Sequence, residues 1–322
     1  MQNPPNPKNS NFFSLNPETV MQATEYAGFM PTGEFSQLNS YENRVFDILL
    51  ENKVRVIAKF YRPGRWTRAS ILEEHEFLAA LADDHLAAIS PLRLKGGSTL
   101  IEFEKIWVAF FPKVRGRLPQ EFLGQELSQI GRMLAQLHNI GSLRPAQHRP
   151  TMDSSYLGGW ETLDFLQEWV TPEVRDRYNN AAADILELKD EFFEPKDFIR
   201  IHGDCHKGNL LHDGNNFSLI DFDDFCNGPV VQDFWMLLSG DADTIEYEKQ
   251  LILKGYEELR EFPSYQWNWV PLLRGLRIIS YAGWIARRWS DPSFPRIFPE
   301  FNTYKYWVEE TEALEKIAWG WT

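Results

Sequence analysis

Cysteine is scarce in this 322-residue chain, which contains only Cys205 and Cys226. Because the two residues do not form a Cys-x-x-Cys pair, the sequence offers neither a disulfide framework nor a cysteine-rich zinc site. Long apolar segments are also missing. No uninterrupted run reaches the roughly 18 residues that a membrane-spanning helix needs, and the Pro- and Asn-rich N-terminus lacks the apolar segment of a secretory signal. We therefore expect a cytoplasmic protein without a membrane partner.

Basic residues are outnumbered by acidic ones. The chain has 33 Lys and Arg against 46 Asp and Glu, which gives a net charge of −13. Such a chain lacks the surface that neutralises nucleic-acid phosphates, so we expect no nucleic-acid partner. An acidic surface suits cationic partners, but more often it only keeps a protein in solution. With 43% hydrophobic residues, the composition is that of a globular protein rather than a disordered one.

Apolar residues divide the chain into a β-rich first part and a mostly helical second part. Residues 44–61 and 98–112 each resemble a hairpin, and residues 69–82 have helical periodicity. Leu and Ile residues at spacings of three and four predict an amphipathic helix across residues 123–137. Further helical segments are predicted near residues 160–190, 245–260, 270–289 and 303–318.

We therefore predict an α+β fold with two unequal lobes. The small, β-rich lobe covers residues 1–111, of which residues 1–14 are expected to be flexible. The larger, mostly helical lobe covers residues 112–322. The strands expected in this second lobe flank the segment HGDCHKGN, residues 202–209, which crowds several reactive side chains into one turn.

The spacing of oxygen-bearing side chains in and after this segment indicates phosphate chemistry. Asp204 follows an apolar strand, Asn209 stands five residues later, and FSLIDFDD places Asp221 at the end of a second strand. Amide and carboxylate oxygens together suit Mg²⁺, and Asp204 remains free to accept a proton from a substrate hydroxyl. This D-x-x-x-x-N plus D-F arrangement is typical of kinases, although Asp223 replaces the glycine of DFG.

The first lobe offers a lysine and a carboxylate for the same machinery. Lys59 lies in the strand-like VRVIAKFY, from which an ammonium group can reach nucleotide phosphates. A buried lysine needs a carboxylate partner. Of Glu73, Glu74 and Glu76 on the predicted helix, only Glu74 shares the apolar face. We therefore predict that Glu74 pairs with Lys59.

The same residues allow other interpretations. His202 and His206 stand four residues apart, as in a zinc-binding helix, but the neighbouring glycines make a helix poor there. We favour a loop-bracing role for His202, while His206 could shape the loop or touch phosphate. Cys205 could be a nucleophile with a histidine base, yet a small buried cysteine is the commoner case. Asp223 and Asp224 either support a metal ligand or cap a turn.

Several segments together resemble a known family. HGDCHKGN, LIDFDD and GPVVQDFWMLLSGD are similar to the aminoglycoside phosphotransferase and choline kinase-like branch of the protein-kinase fold. LNSYENRVF, AKFYRPGRWT, ILEEHEF, HRPT and RRWSDPSFPRIFP narrow the resemblance to the bacterial stress response kinase A family, from about residue 15 to 310. The resemblance implies a bilobal, protein-kinase-like fold.

The resemblance also implies roles for individual residues. Asp204 would be the catalytic base, and Asn209 and Asp221 would bind Mg²⁺, with Asp221 part of the catalytic group. Lys59, paired with Glu74, would contact the phosphates of ATP. The segment AFFPKV, which contains Phe111, would be the hinge against adenine, and Asp233 would brace the catalytic loop.

The nucleotide-covering loop departs from ordinary protein kinases. Its place is taken by SYENRV, residues 40–45, and neither a GxGxxG motif nor a Walker A loop occurs in the chain. Ser40 and Asn43 could cap phosphates through hydroxyl, amide or backbone N–H groups. Which of these groups does so is left open by the sequence.

The activity implied by the resemblance is that of an ATP-dependent Ser/Thr protein kinase that can autophosphorylate, in a setting of envelope and oxidative stress. The expected partner is a protein substrate with Ser or Thr, and the chain is expected to be a monomer. Two alternatives stay open: a kinase for small hydroxyl or amino-alcohol metabolites, and an ATP-binding scaffold. The basic segment 286–296 tempers the metabolite alternative because it could favour an acidic substrate.

Overall fold

The computed structural model describes residue 12 and residues 15–153, 159–192 and 197–320. The segment predicted to be flexible, residues 1–14, lies outside this description except for Phe12. Phe12 is fully buried, and the guanidinium groups of Arg44 and Arg62 lie 5.2 and 5.1 Å from the centre of its ring.

A five-stranded antiparallel sheet forms the small lobe, with the strand order β1-β2-β3-β5-β4. Helix α1 (Pro17–Tyr26) precedes the sheet, and helix α2 (Arg68–Asp83) follows its central strand. Within β3, Lys59 pairs with Val45 of β2 on one side and Ala109 of β5 on the other. The strands are β1 (Pro31–Leu38), β2 (Arg44–Leu50), β3 (Arg55–Phe60), β4 (Ile101–Phe103) and β5 (Ile106–Pro112).

Both predicted hairpins and the predicted helix 69–82 are confirmed, whereas α1 and β1 were not predicted. Strand β1 is mostly exposed and polar, so it lacks the apolar alternation on which a strand prediction depends. Helix α1 does carry a sequence signal. Asn16 caps it by accepting a hydrogen bond from the N–H of Thr19, and Pro17 occupies its first position.

The larger lobe is mostly helical, as predicted, and the α+β organisation is confirmed. Two small antiparallel sheets, β6 with β9 and β7 with β8, carry the loop of residues 202–209. Each of these four strands is three residues long, and β7 and β9 were not predicted because they lie outside the two apolar runs DFIRIHGD and FSLIDFD that contain β6 and β8. The elements are α3 (Gly124–Gly141), α4 (Gly159–Leu166), α5 (Arg175–Phe192), β6 (Ile199–Ile201), β7 (Leu210–His212), β8 (Phe217–Leu219), β9 (Cys226–Gly228), α6 (Gln232–Trp235), α7 (Ala242–Tyr256), α8 (Val270–Arg287), α9 (Phe294–Ile297) and α10 (Tyr304–Trp319).

Helices α3 and α7 pack closely together and support the loop of residues 202–209, which we call the catalytic loop. The predicted apolar stripe of α3 is buried, including Ile130 and Leu134. Gly131 faces α7 so closely that a Cβ there would lie 2.0 Å from the carbonyl oxygen of Ile252. Any larger residue at this position would therefore push the two helices apart.

The predicted lobe boundary falls at the end of β5, whose last residue is Pro112. Separate apolar clusters pack on the sheet and between the helices of the larger lobe. Every helix in the described part of the chain is either too short or too polar to cross a membrane.

Candidate active site

Asp233 fixes the start of the catalytic loop. Its buried carboxylate accepts hydrogen bonds of 2.8 Å from the backbone N–H groups of both His202 and Gly203. His138 of α3 lies 3.0 Å from the same carboxylate, and its other ring nitrogen contacts the hydroxyl of Tyr256. The bracing role that the resemblance implies for Asp233 thus has a direct physical basis.

His202 connects the catalytic loop to the segment that follows β8 and contains Asp221. Its Nε2 lies 2.9 Å from the carbonyl oxygen of Ile220 and must donate there, while its Nδ1 accepts from the backbone N–H of Asp204 at 3.3 Å. Both ring nitrogens are therefore engaged, and the ring is fully buried. These contacts support the loop-bracing interpretation. In the described part of the chain, no three His, Cys, Asp or Glu side chains form a metal-binding group.

Cys205 has no access to a substrate. The residue is fully buried, and burial, together with the charges of Asp233 and Asp204, raises the pKa of its thiol well above the ordinary value. A thiol in this state is inert as a nucleophile. The structure therefore favours the structural interpretation of Cys205.

Asp204 stands at the mouth of the loop with both carboxylate oxygens engaged. Oδ1 lies 2.8 Å from Nη1 of Arg277, and Oδ2 lies 3.4 Å from Nε2 of His206. Burial raises the pKa of Asp204, but the hydrogen bond from His206 and the charge of Arg277 outweigh it and hold the pKa below its ordinary value. Asp204 is therefore an ionised carboxylate at neutral pH, suited to orient a hydroxyl group.

The backbone brings Asn209 and Asp221 to the same place as Asp204. The side-chain Nδ2 of Asn209 donates to the carbonyl oxygen of Asp204 at 2.9 Å, and the N–H of Ile220 donates to the carbonyl oxygen of Asn209 at 3.0 Å. Asp221 comes next in a left-handed conformation with a φ of 60°, which aspartate tolerates better than most residues. The predicted catalytic loop and the predicted metal-binding residue therefore converge.

The oxygens of Asn209 and Asp221 fit a magnesium ion. The hydrogen bond of Asn209 uses its amide nitrogen and leaves the side-chain oxygen available. Of the Asp221 side chain, 49% is exposed to the cleft. A neutral oxygen next to an exposed carboxylate is the kind of donor set that Mg²⁺ accepts, with water and phosphate completing the shell.

Lys59 reaches this carboxylate from the other lobe. Its Nζ lies 3.1 Å from Asp223, 3.2 Å from Asp221 and 3.9 Å from Glu74. Burial would lower the pKa of Lys59, but the charges of Asp223, Asp221 and Glu74 raise it well above the ordinary value. The predicted pairing of Lys59 with Glu74 exists, but the two aspartates lie closer.

Glu74 is shared between two cations. It is 1% exposed, and its second oxygen lies 3.7 Å from Nη1 of Arg149. Burial raises the pKa of Glu74 to about 7 even though the charges of Lys59 and Arg149 oppose this. Arg149 also donates to the carbonyl oxygen of Phe225 at 2.8 Å. Helix α2 is thereby tied to the segment that follows Asp221.

Asp223 and Asp224 bind an arginine of the small lobe. The guanidinium group of Arg65, in the loop after β3, contacts both carboxylates at 2.5 Å. Burial would raise the pKa of Asp223, but Arg65, Lys59 and Arg149 hold it below the ordinary value. Asp223 is thus an ionic link between the lobes, in the position where most kinases have glycine.

The loop of residues 40–45 is held on the larger lobe. Glu42 lies 3.1 Å from Arg62 and 2.9 Å from Arg288 of the larger lobe, and it accepts a hydrogen bond of 2.7 Å from the indole of Trp284. Asp291 lies 3.3 Å from Arg44 and 3.2 Å from Arg62. Ion pairs with Arg62 and with the larger lobe therefore hold this loop in place.

The two loop residues predicted to contact phosphates differ in their surroundings. Asn43 is 2% exposed, and its Oδ1 accepts a hydrogen bond from the backbone N–H of Arg62. This hydrogen bond engages only the side-chain oxygen, which accepts and cannot donate to phosphate, so the contact predicted for the amide or backbone N–H of Asn43 stays a prediction. Ser40 is partly exposed, and its phosphate contact stays a prediction.

Phe111, predicted to face adenine, pairs with Ile57 of β3 near the end of β5. Phe111 and Ala109 stand two residues apart on the same strand, so their side chains lie on one face of the sheet. Their direct partners on β3, Ile57 and Lys59, lie on that same face. The ring of Phe111 meets the ring of His75 on α2 edge to face, with centres 6.2 Å apart. Its contact with a nucleotide stays a prediction.

Several site residues were not predicted. Glu42, Arg65 and Arg277 lie far from the catalytic loop in sequence and show no periodic pattern. Their only sequence signal is that the segments containing Glu42 and Arg65 belong to the resemblance, where they carried no assigned role. Contacts such as that of Arg277 with Asp204 arise only when the chain folds.

This chain is similar to a family of phosphotransferases and to individual bacterial kinases. The model of the phosphotransferase enzyme family matches residues 34–265. Stress response kinase A of Escherichia coli (strain K12) is 36% identical over 311 residues, which cover 95% of this chain and 94% of that protein. The serine/threonine protein kinase RdoA of Salmonella typhimurium (strain LT2) is 36% identical over 306 residues, which cover 93% and 92%.

Solved structures show the same fold. An amicoumacin kinase, determined in complex with AMP-PNP, Ca²⁺ and Ami, has a TM-score of 0.75 at 16% identity and covers 94% of this chain and 93% of its own. A microcompartment-associated aminopropanol kinase has a TM-score of 0.70 at 20% identity and covers 94% and 95%. The predicted bilobal, kinase-like fold is confirmed. The chain belongs to the phosphotransferase enzyme family and, within it, to the group of bacterial stress response kinases A.

Proposed function

We propose that this protein transfers the γ-phosphoryl group of ATP, with Mg²⁺, to a Ser or Thr hydroxyl of a protein, including its own chain. The observation that carries the proposal is the convergence of Asp204, Asn209, Asp221 and Lys59, through direct contacts that join the two lobes. The names of the 36%-identical relatives support a protein as acceptor and a stress response as the setting.

Asp204 orients the acceptor. Its depressed pKa makes it a weak base before the reaction, so its first task is to hold the hydroxyl in line with the γ-phosphorus. As the bond from the hydroxyl oxygen to phosphorus forms, the bond from phosphorus to the β,γ-bridging oxygen breaks. The hydroxyl proton then passes to the carboxylate of Asp204, and ADP leaves.

Lys59 supplies positive charge where the phosphates carry negative charge. Its position is fixed by β3 and by the surrounding carboxylates. Asn209 and Asp221 would hold Mg²⁺, which when bound offsets charge on the β- and γ-phosphates. Since Lys59, Asn209 and Asp221 already lie close together, these three groups need little reorganisation.

A metabolite kinase is the second candidate. The solved structures with this fold include kinases of an antibiotic and of aminopropanol, and one was determined with AMP-PNP and Ca²⁺. They support the use of a nucleotide and a divalent cation here. The guanidinium of Arg277 at Asp204 argues against acceptors that carry an amine next to the hydroxyl.

Incubation with labelled ATP and Mg²⁺ tests the proposal. We expect label on Ser or Thr of the chain itself and of added generic protein substrates. The Asp204→Asn variant should bind ATP and fold normally but transfer no label. Label that appears only on added amino-alcohols would favour the second candidate, and undiminished transfer by Asp204→Asn would refute the assignment of Asp204.

A further inference from the structure

One face of α8 forms a wall that leads from the catalytic loop to the loop of residues 40–45. We call this face, formed by Arg277, Tyr281, Trp284 and Arg288, the α8 strip. Successive members are three or four residues apart, so they lie on one side of the helix. Arg277 contacts Asp204 at one end, and Trp284 and Arg288 contact Glu42 at the other. The strip therefore borders Asp204 at one end and the loop of residues 40–45 at the other.

The two arginines of the strip differ in their freedom. Arg288 is largely buried and donates to Glu42 at 2.9 Å. The side chain of Arg277 remains 40% exposed while it holds Oδ1 of Asp204 at 2.8 Å. Arg277 therefore can turn toward an incoming molecule, whereas Arg288 is fixed by its contacts with the small lobe.

Basic side chains contact both oxygens of Asp204, although the chain as a whole is acidic. His206 lies beside it, and the ammonium group of Lys207 bonds the hydroxyl of Ser239 at 2.8 Å at the exposed side of the loop. Glu310 of α10 interacts electrostatically with Tyr281. Burial raises the pKa of Glu310 to about 7, so its negative charge is only partial at neutral pH. A cationic group that approaches Oδ1 of Asp204 therefore meets repulsion from the guanidinium of Arg277.

We propose that Arg277 selects the acceptor: it binds an acidic side chain next to the Ser or Thr that is phosphorylated and thereby releases Oδ1 of Asp204 for the hydroxyl. The inference rests on the proposed function, because it assumes a protein acceptor. The contact of Arg277 with Asp204 occupies the oxygen that must receive the hydroxyl. A carboxylate on the acceptor offers the guanidinium a second, bidentate partner and draws it away.

Two consequences distinguish this arrangement from simple attraction. An acidic neighbour should raise kcat as well as lower KM, because it frees Asp204 in the bound complex. A basic neighbour should lower kcat, because it leaves Arg277 on Asp204, and should raise KM, because it adds repulsion. Substitution of a residue that only supports the fold would change kcat/KM for all acceptors by the same factor.

The test uses three short Ser peptides that differ only in the residues flanking Ser, which are Glu, Gln or Lys. Wild type should show a kcat/KM about tenfold or more higher for the Glu peptide than for the Lys peptide. In Arg277→Gln the ratio should fall close to one, and Arg277→Lys should keep part of it. Arg274→Gln, an exposed arginine one turn away on the same helix, is the matched control and should retain the wild-type ratio.

The outcomes separate the inference from the proposed function. If wild type labels all three peptides equally, or if Arg277→Gln keeps the wild-type ratio, the inference is overturned and the protein kinase function stands. If wild type labels neither the peptides nor its own chain but labels an amino-alcohol, the proposed function falls and the inference falls with it. If the preference for the Glu peptide over the Lys peptide is lost in Arg277→Gln and kept in Arg274→Gln, the result supports both the inference and the proposed function.

Discussion

The ammonium group of Lys59 lies 3.1 Å from Asp223 but 3.9 Å from Glu74. The residue that replaces glycine after Asp221-Phe222 is therefore a closer partner of this lysine than the helix carboxylate is. Because Arg65 binds the other oxygen of Asp223, this one carboxylate links two cations of the small lobe to the larger lobe.

Asp223→Asn should be strongly destabilising. The change leaves Lys59 and Arg65 partly uncompensated in a buried position, and removal of one partner from a buried pair costs on the order of 3 kcal/mol. We expect a fall of about that size in the free energy of unfolding, measured by urea denaturation. Asp224→Asn is the control, since that side chain is partly exposed and should cost about 1 kcal/mol or less.

Stability should depend on pH through Glu74. Burial raises its pKa from 4.5 to about 7, so the folded state holds this proton more tightly than the unfolded state does. The folded state therefore loses stability as pH rises from about 4.5 to about 7. Glu74→Gln removes this titration.

The measurement compares urea denaturation of wild type and Glu74→Gln at about pH 5 and about pH 8. Relative to the variant, wild type should lose on the order of 1–3 kcal/mol between the two conditions. Glu76→Gln, on an exposed part of the same helix, should run parallel to wild type. A wild type that gains stability relative to Glu74→Gln as pH rises would contradict the raised pKa.

Glu42 should control nucleotide affinity. Its carboxylate holds Arg62 and Arg288 around the loop of residues 40–45. Burial raises its pKa, but the charges of Arg65, Arg288 and Arg62 outweigh burial and lower it. Glu42→Gln should loosen the loop and raise the KM for ATP about tenfold, with a smaller effect on kcat. Steady-state kinetics check this. Glu34→Gln, which removes the partner of Arg55 on the exposed strand β1, should leave the KM unchanged.

Asp221→Ala should abolish turnover that depends on Mg²⁺. The variant removes the exposed carboxylate of the donor set, and loss of such a charge should cost a hundredfold or more in kcat, by the order of magnitude known for single transition-state contacts. A titration of activity against Mg²⁺ measures the effect. Asp213→Ala, in the turn between β7 and β8, is the control. A wild-type rate with an unchanged Mg²⁺ dependence would remove Asp221 from the metal site.

The sequence predicts the elements that have a strong local pattern. The catalytic loop, the Lys59 strand and the apolar face of α2 follow from spacing and periodicity, and the structure brings their residues together. Asp204, Asn209 and Asp221 could be recognised because the chemistry of phosphoryl transfer restricts both residue type and spacing.

Long-range contacts could not be predicted in this way. Asp223 and Lys59 come from different lobes, and their contact at 3.1 Å exists only in the folded chain. Arg277 meets Asp204 across 73 residues of sequence, and no local pattern encodes that distance. The surroundings of Asn43 are likewise set by the fold, because its side-chain oxygen accepts a hydrogen bond from the backbone N–H of Arg62, 19 residues away.

A crystal structure with Mg²⁺ and a non-hydrolysable ATP analogue tests the central claim most directly. We expect the metal about 2.1 Å from the side-chain oxygen of Asn209 and from the carboxylate of Asp221. The ammonium group of Lys59 should contact the phosphates, and Asp204 should face the terminal one. An analogue bound outside the cleft, or with its terminal phosphate turned away from Asp204, would contradict the account.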